Sequence, residues 1–131
     1  MLANGTFEIK LEPVKFDTPP VGRMIITKQY SGGMVGTGAG QMISKRTDSG
    51  NAVYTAIEEF DGVIDCKKGG FTLLHKGSMS SSQQSLEITI MDGSGTGEFA
   101  GVSGVMTIVQ DQGSHSYELD YSLKEPDQAE S

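Results

Sequence analysis

The sequence predicts an all-β protein whose strands close into an antiparallel β-barrel of about eight strands. Between residues 70 and 123, short runs with every second residue apolar are separated by glycine-rich turns, and no helical period is present. In the last run, residues 114–123, the odd-numbered side chains are His, Tyr or Leu and the even-numbered ones are polar. Eighteen glycines and no tryptophan in 131 residues also fit a turn-rich β protein.

Three strands are predicted in the N-terminal third of the chain, at residues 6–12, 23–30 and 34–44. The first ends at Pro13, and a loop that contains Pro19 and Pro20 leads to the second. In the third strand, Gly36, Gly38 and Gly40 leave one face almost without side chains. This pattern suits sharp barrel curvature, which we favour, or the close approach of another backbone or a ligand.

A hairpin follows, in which residues 52–60 pair with residues 63–67 across Asp61-Gly62, a dipeptide favoured in two-residue turns. The remaining strands are predicted at residues 71–77, 85–91, 105–110 and 114–123. So many short strands without helices would leave exposed sheet edges unless the sheet closed on itself. A closed barrel is therefore the first prediction, and a two-sheet sandwich is the alternative.

Length and charge limit the classes of function. The 131 residues predict a single domain, residues 1–131, with a frayed acidic tail at 124–131. A net charge of −7 disfavours nucleic acids and anionic membranes as partners. No apolar stretch is long enough to span a membrane, and the start of the chain does not resemble a secretion signal. Together with the lone Cys66, these features predict a soluble, cytoplasmic protein.

The two histidines, His75 and His115, both fall on the apolar side of a predicted strand. They could line a barrel lumen as acid, base or ligand hydrogen-bond partners, but for each alone we favour a structural role in the core or at its rim. With Glu58 they would supply the residue types of a two-His-one-carboxylate iron site, although nothing in the spacing requires one. We predict no metal and no cofactor.

Glu58 is the most informative carboxylate. The Asp61-Gly62 turn would place it opposite Asp65, and in the barrel interior repulsion and desolvation would then raise a pKa and leave one acid protonated. The other face of the hairpin, which includes Val53, Ile57 and Cys66, is equally apolar. Patterning therefore leaves open which face lies inside, and Cys66 is interpreted as a small structural hydrophobe.

Four segments carry a family resemblance: GFTLLHKG at 70–77, GSGTGEFAG at 93–101, HSYELDY at 115–121, and residues 54–62 around Glu58. With these motifs the chain resembles the bacterial DUF3224 family over residues 7–123. The resemblance implies a closed barrel similar to allene oxide cyclase and to calycins, but no activity, since the family has no assigned function and no catalytic residue of the cyclases can be carried over. The candidate ligand-binding residues are polar side chains on candidate inward faces of these motifs: Tyr54, Glu58, His75, His115 and Tyr117.

Three functions follow from these expectations, in order of preference. The first is binding of a small, largely apolar molecule in a lumen lined by Phe7, Ile9, Leu73, Tyr117 and Leu119. The second is a structural barrel with a side-chain-filled core, which acts through its surface or as a homo-oligomer. The third is a metal-free isomerase or cyclase for a lipophilic substrate, in which a protonated Glu58 or a histidine transfers a proton.

Overall fold

A computed structural model describes residues 1–14 and 21–124, which form nine β-strands. The strands are β1 Leu2–Pro13, β2 Gly22–Gly32, β3 Met34–Arg46, β4 Ala52–Ile64, β5 Lys67–Met79, β6 Gln84–Ile90, β7 Thr96–Gly97, β8 Val102–Asp111 and β9 Ser114–Leu123. No helix in this part of the chain could cross a membrane. The predicted loop around Pro19 and Pro20, and the predicted frayed tail beyond Lys124, lie outside the described residues.

The strands form a closed ring in the order β1, β2, β3, β4, β5, β6, β8, β9 and back to β1, and all pairings are antiparallel. The two-residue strand β7 pairs with the start of β5 and lies outside the ring. The prediction of a closed antiparallel barrel of about eight strands is thus confirmed. Closure of the ring rules out the two-sheet sandwich.

Strict alternation decides which side chains face the interior. Even-numbered residues point inward from β2, β3, β4, β6 and β8, and odd-numbered residues point inward from β1, β5 and β9. The inward-facing hydrophobic residues form one core cluster, in which aromatic rings pack edge-to-face or tilted against one another. The fully buried large apolar side chains are Tyr30, Met34, Phe60, Ile64, Leu73, Ile88, Phe99, Met106, Leu119 and Tyr121.

The predicted turn at Asp61-Gly62 is wrong. Strand β4 continues through both residues to Ile64, and the chain reverses at Asp65 and Cys66, whose φ angles are 51° and 65°. Tertiary contacts override the local preference, because Ile64 is completely buried and Gly62 packs directly on β3, where a Cβ would lie 2.1 Å from the carbonyl oxygen of Val35. Cys66 is exposed in this turn and is not a core hydrophobe.

The two ends of the barrel differ. At the end formed by the start of β1 and the end of β4, which we call the closed end, the segment 91–101 inserts Phe99 into the core, where it is fully buried. At the opposite end, the open end, the inward-facing side chains are only partly buried, and examples are Ile9, Met42 and Ile108. The core is therefore complete at the closed end and incomplete at the open end.

The turn at Asp65-Cys66 leads to a prediction about stability. Both residues adopt left-handed backbone angles, which cost a residue with a Cβ about 1 kcal/mol. We expect Cys66→Gly to raise the free energy of unfolding by up to about 1 kcal/mol, less the entropy that glycine gains in the unfolded chain. Urea unfolding under reducing conditions measures the effect. Cys66→Ala, which keeps the Cβ, should leave stability unchanged, and an equal gain in both variants would contradict the explanation.

Candidate functional site

Glu58 lies in the interior of the barrel with no solvent exposure and is surrounded by three polar side chains. Its Oε1 atom accepts a hydrogen bond from the Lys28 ammonium at 3.0 Å and lies 2.9 Å from Nε2 of His75. Its Oε2 atom accepts a hydrogen bond from the Tyr30 hydroxyl at 2.5 Å. We call these four residues the buried cluster; Lys28 is 3% exposed and His75 is 5% exposed.

The glycines of β3 allow the buried cluster to form. Strand β3 lies between β2, which carries Lys28 and Tyr30, and β4, which carries Glu58. Gly38 is paired with Lys28 on one side, and a Cβ at Gly38 would lie 2.1 Å from Oε2 of Glu58. Side chains from β2 and β4 can therefore meet across β3 only because β3 has none there. Gly38 thus makes room for a side chain, which neither explanation offered for the glycine alternation included. At Gly36 and Gly40 the close approach is that of the β4 backbone, because a Cβ would lie 2.2 Å from the carbonyl oxygen of Asp61 and 1.9 Å from that of Ile57.

Glu58 is a carboxylate, contrary to the expectation of a protonated acid. Burial alone raises its pKa, but the hydrogen bond with His75, the positive charge of Lys28 and the hydrogen bond from Tyr30 together outweigh burial. They lower the pKa of Glu58 from 4.5 to about 2. Burial and the negative charge of Glu58 raise the pKa of Tyr30, which therefore remains a neutral hydrogen-bond donor.

Asp65 is not a neighbour of Glu58. Glu58 is paired with Leu73 of β5, while Asp65 lies in the turn at the closed end. Its carboxylate accepts a hydrogen bond from the hydroxyl of Tyr121, and burial followed by this contact raises the pKa of Tyr121 to about 12. The repulsion between two acids that the predicted turn implied is absent because the true turn is farther along the chain.

Lys28 has an unusual environment for an ammonium group. An ammonium has three N–H donors, yet its single hydrogen bond among the described residues goes to Glu58. Its Nζ atom also lies over the rings of Phe7 and Tyr30, at 4.7 and 5.7 Å from the ring centres. These aromatic faces provide part of the stabilisation that oxygen acceptors would give in water.

Of the five candidate site residues, the structure brings only Glu58 and His75 together. Tyr54 and His115 lie at inward-facing positions near the open end, where Tyr54 covers Gly77 and the His115 ring lies 5.2 Å from that of Phe7. Because His115 is not beside Glu58, the three residues do not form a two-His-one-carboxylate site. Among residues 1–14 and 21–124, no group of three or more His, Cys, Asp and Glu side chains is arranged to hold a metal ion.

Tyr117 has a structural role. Its hydroxyl accepts a hydrogen bond from the backbone N–H of Met34 at 2.7 Å and donates one to the carbonyl of Ser31 at 2.8 Å. It thereby holds the β2–β3 turn at the closed end.

Lys28 and Tyr30 were not among the site residues predicted from the sequence. The available signal was the inward series Ile26, Lys28 and Tyr30, in which a lysine alternates with two hydrophobic residues. Such a lysine is a candidate for a buried charge whenever a carboxylate such as Glu58 occupies a comparable position on another strand.

Removal of the Glu58 charge should destabilise the barrel strongly. Glu58→Gln leaves Lys28 buried without a counter-ion, and we expect a loss of about 3–5 kcal/mol in the free energy of unfolding. The double variant Lys28→Met/Glu58→Gln, which removes both charges, should lose less than Glu58→Gln alone. The control Glu87→Gln, at an exposed position on β6, should change stability by less than about 0.5 kcal/mol. Urea unfolding of all variants gives the values, and equal losses in the single and double variants would contradict the pairing.

The lowered pKa of Glu58 also predicts a pH dependence. A carboxyl group whose pKa falls on folding stabilises the protein above its unfolded pKa, here 4.5, and this contribution is lost as the pH falls to about 2. The difference in unfolding free energy between the wild type and Glu58→Gln should therefore shrink across this range. The difference between the wild type and Glu87→Gln should stay nearly constant. If the difference in unfolding free energy between the wild type and Glu58→Gln does not shrink between pH 4.5 and about 2, Glu58 is not ionised in the folded protein.

Comparisons with known proteins agree with this architecture. The chain matches a family model described as a protein of unknown function, DUF3224, over residues 3–121. It is similar to a crystal structure of a protein with unknown function from the DUF3224 family of Shewanella oneidensis MR-1, with a TM-score of 0.88 and 32% sequence identity. The similarity covers 95% of this chain and 98% of that one. No curated protein matches the chain. The extent of the family match and the shared barrel show that this chain belongs to the DUF3224 family.

Proposed function

We propose that the open end of the barrel binds a small, largely apolar molecule that carries one hydrogen-bond acceptor. The observation that supports this proposal is a set of inward-facing apolar side chains left partly exposed at that end. These are Ile9, Leu11, Met24, Met42, Tyr54, Leu86 and Ile108. Partly exposed apolar side chains on a concave surface are typical of ligand sites.

The barrel wall also opens beside these residues. Pairing between β1 and β9 stops at Thr6 and Ser116, so Phe7 and His115 do not continue the hydrogen-bonded ladder. The cleft next to this opening has a volume of about 620 Å³. Phe7, Ile9 and His115 line its inner side, and outward-facing polar residues, among them Thr6, Glu8 and Gln29, line its outer side. This volume lies within the range of about 300–1,000 Å³ that small-molecule sites occupy.

Lys28 supplies the polar contact in this proposal. Phe7 lines the cleft on one side and contacts the Lys28 ammonium on the other. One side chain therefore separates the cleft from an ammonium group that uses only one of its three N–H donors among the described residues. A carboxylate or carbonyl oxygen of a ligand could accept from Lys28 if Phe7 changed its rotamer. The ligand class is therefore an aliphatic or aromatic molecule with one acceptor group.

A second candidate is a structural barrel that acts through its surface. It is favoured by the closed half of the interior, where large side chains such as Tyr30, Phe60 and Phe99 are buried and belong to one hydrophobic cluster. The isomerase or cyclase alternative loses one of its two candidate proton donors, because Glu58 is ionised.

Mass spectrometry of the purified protein tests ligand binding. Under native conditions we expect a mass excess that disappears on denaturation, or, after addition of dodecanoate, a one-to-one complex. The variant Ile108→Trp should lose this binding at least about tenfold, since the larger side chain fills the open end. The matched control Val109→Trp lies on the same strand but points outward, and it should bind like the wild type.

The outcomes separate the two candidates. Equal binding by the Ile108 and Val109 variants would contradict a site at the open end. A wild type that carries no extra mass and binds no dodecanoate would instead support the filled structural barrel.

A further inference from the structure

The outer surface of β3, β4 and β5 carries exposed aliphatic side chains that are adjacent across the strands. Ile57 of β4 is 59% exposed and lies opposite Leu74 of β5, which is 37% exposed. Ile43 of β3 and Val53 of β4 are 43% and 55% exposed and lie on the same face. We call these four residues the aliphatic band. Adjacent exposed aliphatic side chains on a soluble protein indicate an interaction surface.

Charges of opposite sign lie on either side of Ile57 along the strand direction. Toward the open end, Lys45 is paired with Val53 and Lys76 is paired with Thr55. Toward the closed end, Glu59 and Asp61 follow Ile57 on β4. Within the part of the chain that the structure describes, none of these four side chains forms an ion pair. Lys68 lies beyond the acidic pair, near Glu98, whose carboxylate accepts a hydrogen bond from its backbone N–H.

We propose that this face binds a second copy of the same chain about a two-fold axis that lies in the interface and runs across the strands. Such an axis makes the strands of the two copies antiparallel. With the axis at the level of Ile57, the lysine side of each copy lies over the acidic side of the other, and the Ile57 and Leu74 side chains of the two copies meet in the centre. An axis parallel to the strands would instead place lysine over lysine and acid over acid. The charge pattern therefore selects the first arrangement.

Shape and area are compatible with a dimer. A groove of about 470 Å³ lies beside Ile57, and Ala39 and Gly40 contribute to its lining, so a partner's aliphatic side chain can enter it. Three strands about 4.8 Å apart are about 14 Å wide, and the 13 residues of β4 extend about 43 Å. The projected area of the face is therefore about 600 Å² per copy, and a pair that buries all of it reaches at most about 1,200 Å², the lower end of specific interfaces. This inference is independent of the proposed ligand site at the open end.

Sedimentation velocity of the full chain tests the surface. Reducing agent is included because Cys66 is exposed and could form an intermolecular disulfide. We expect the wild type to be a dimer at about 200 µM and to dissociate on dilution, as is typical of an interface of this size. Ile57→Arg should raise the dissociation constant by about 100-fold. Val109→Arg, at a 60% exposed position on β8 across the barrel, should leave the constant unchanged.

Charge reversal tests the axis. Lys45→Glu/Lys76→Glu should weaken the dimer by at least about tenfold, because acids then face acids across the interface. Adding Glu59→Lys/Asp61→Lys to the same chain inverts the whole pattern and should restore the dimer. Circular dichroism confirms that each surface variant is folded. A monomeric wild type at about 200 µM, an equal effect of Val109→Arg and Ile57→Arg, or no restoration in the fourfold variant would each overturn the proposal.

Discussion

The buried charge of Glu58 is the constraint on which the interior of this barrel depends. An ionised carboxylate in a protein core costs several kcal/mol unless its oxygens are paired and hydrogen-bonded. Here the partners come from β2 and β5, so one residue of β4 couples three strands through side chains as well as through the backbone. Removing any partner would leave a polar group that the rest of the core cannot satisfy, since its other members are almost entirely hydrophobic.

The glycines of β3 follow from the same constraint. Because β3 separates β2 from β4, a side chain at Gly38 would occupy the space that the Tyr30 and Glu58 side chains need, while side chains at Gly36 and Gly40 would meet the backbone of β4. A strand with alternating glycines has few side chains to pack in the core and loses more conformational entropy on folding than other strands. In return, Lys28 and Tyr30 of β2 form hydrogen bonds with Glu58 of β4 across it. The buried cluster and the glycine alternation are therefore two parts of one arrangement.

The inward and outward side chains of strands β3, β4 and β5 have different roles. Their inward residues contribute to the buried cluster and the aromatic core, and their outward residues carry the aliphatic band, with lysines on the open-end side of Ile57 and acids on its closed-end side. Because successive side chains alternate between faces, the two sets can vary independently. The proposed ligand site and the proposed dimer face thus occupy opposite sides of the wall and can be tested by separate substitutions.

Local patterns in the sequence determined the all-β class and most strand positions, because alternation depends only on neighbouring residues: the strand predicted at residues 114–123 matches β9. The tertiary structure alone decided the hairpin and the chemistry of Glu58. Asp61-Gly62 favours a turn in isolation, but burial of Ile64 and close packing of Gly62 on β3 move the turn to Asp65-Cys66. With the turn there, β5 brings His75 to Glu58, and the pairing of β2, β3 and β4 brings Lys28 and Tyr30. All three are distant in sequence, and their charges and hydrogen bonds act through space. The direction of its pKa shift could therefore be read only from the folded barrel.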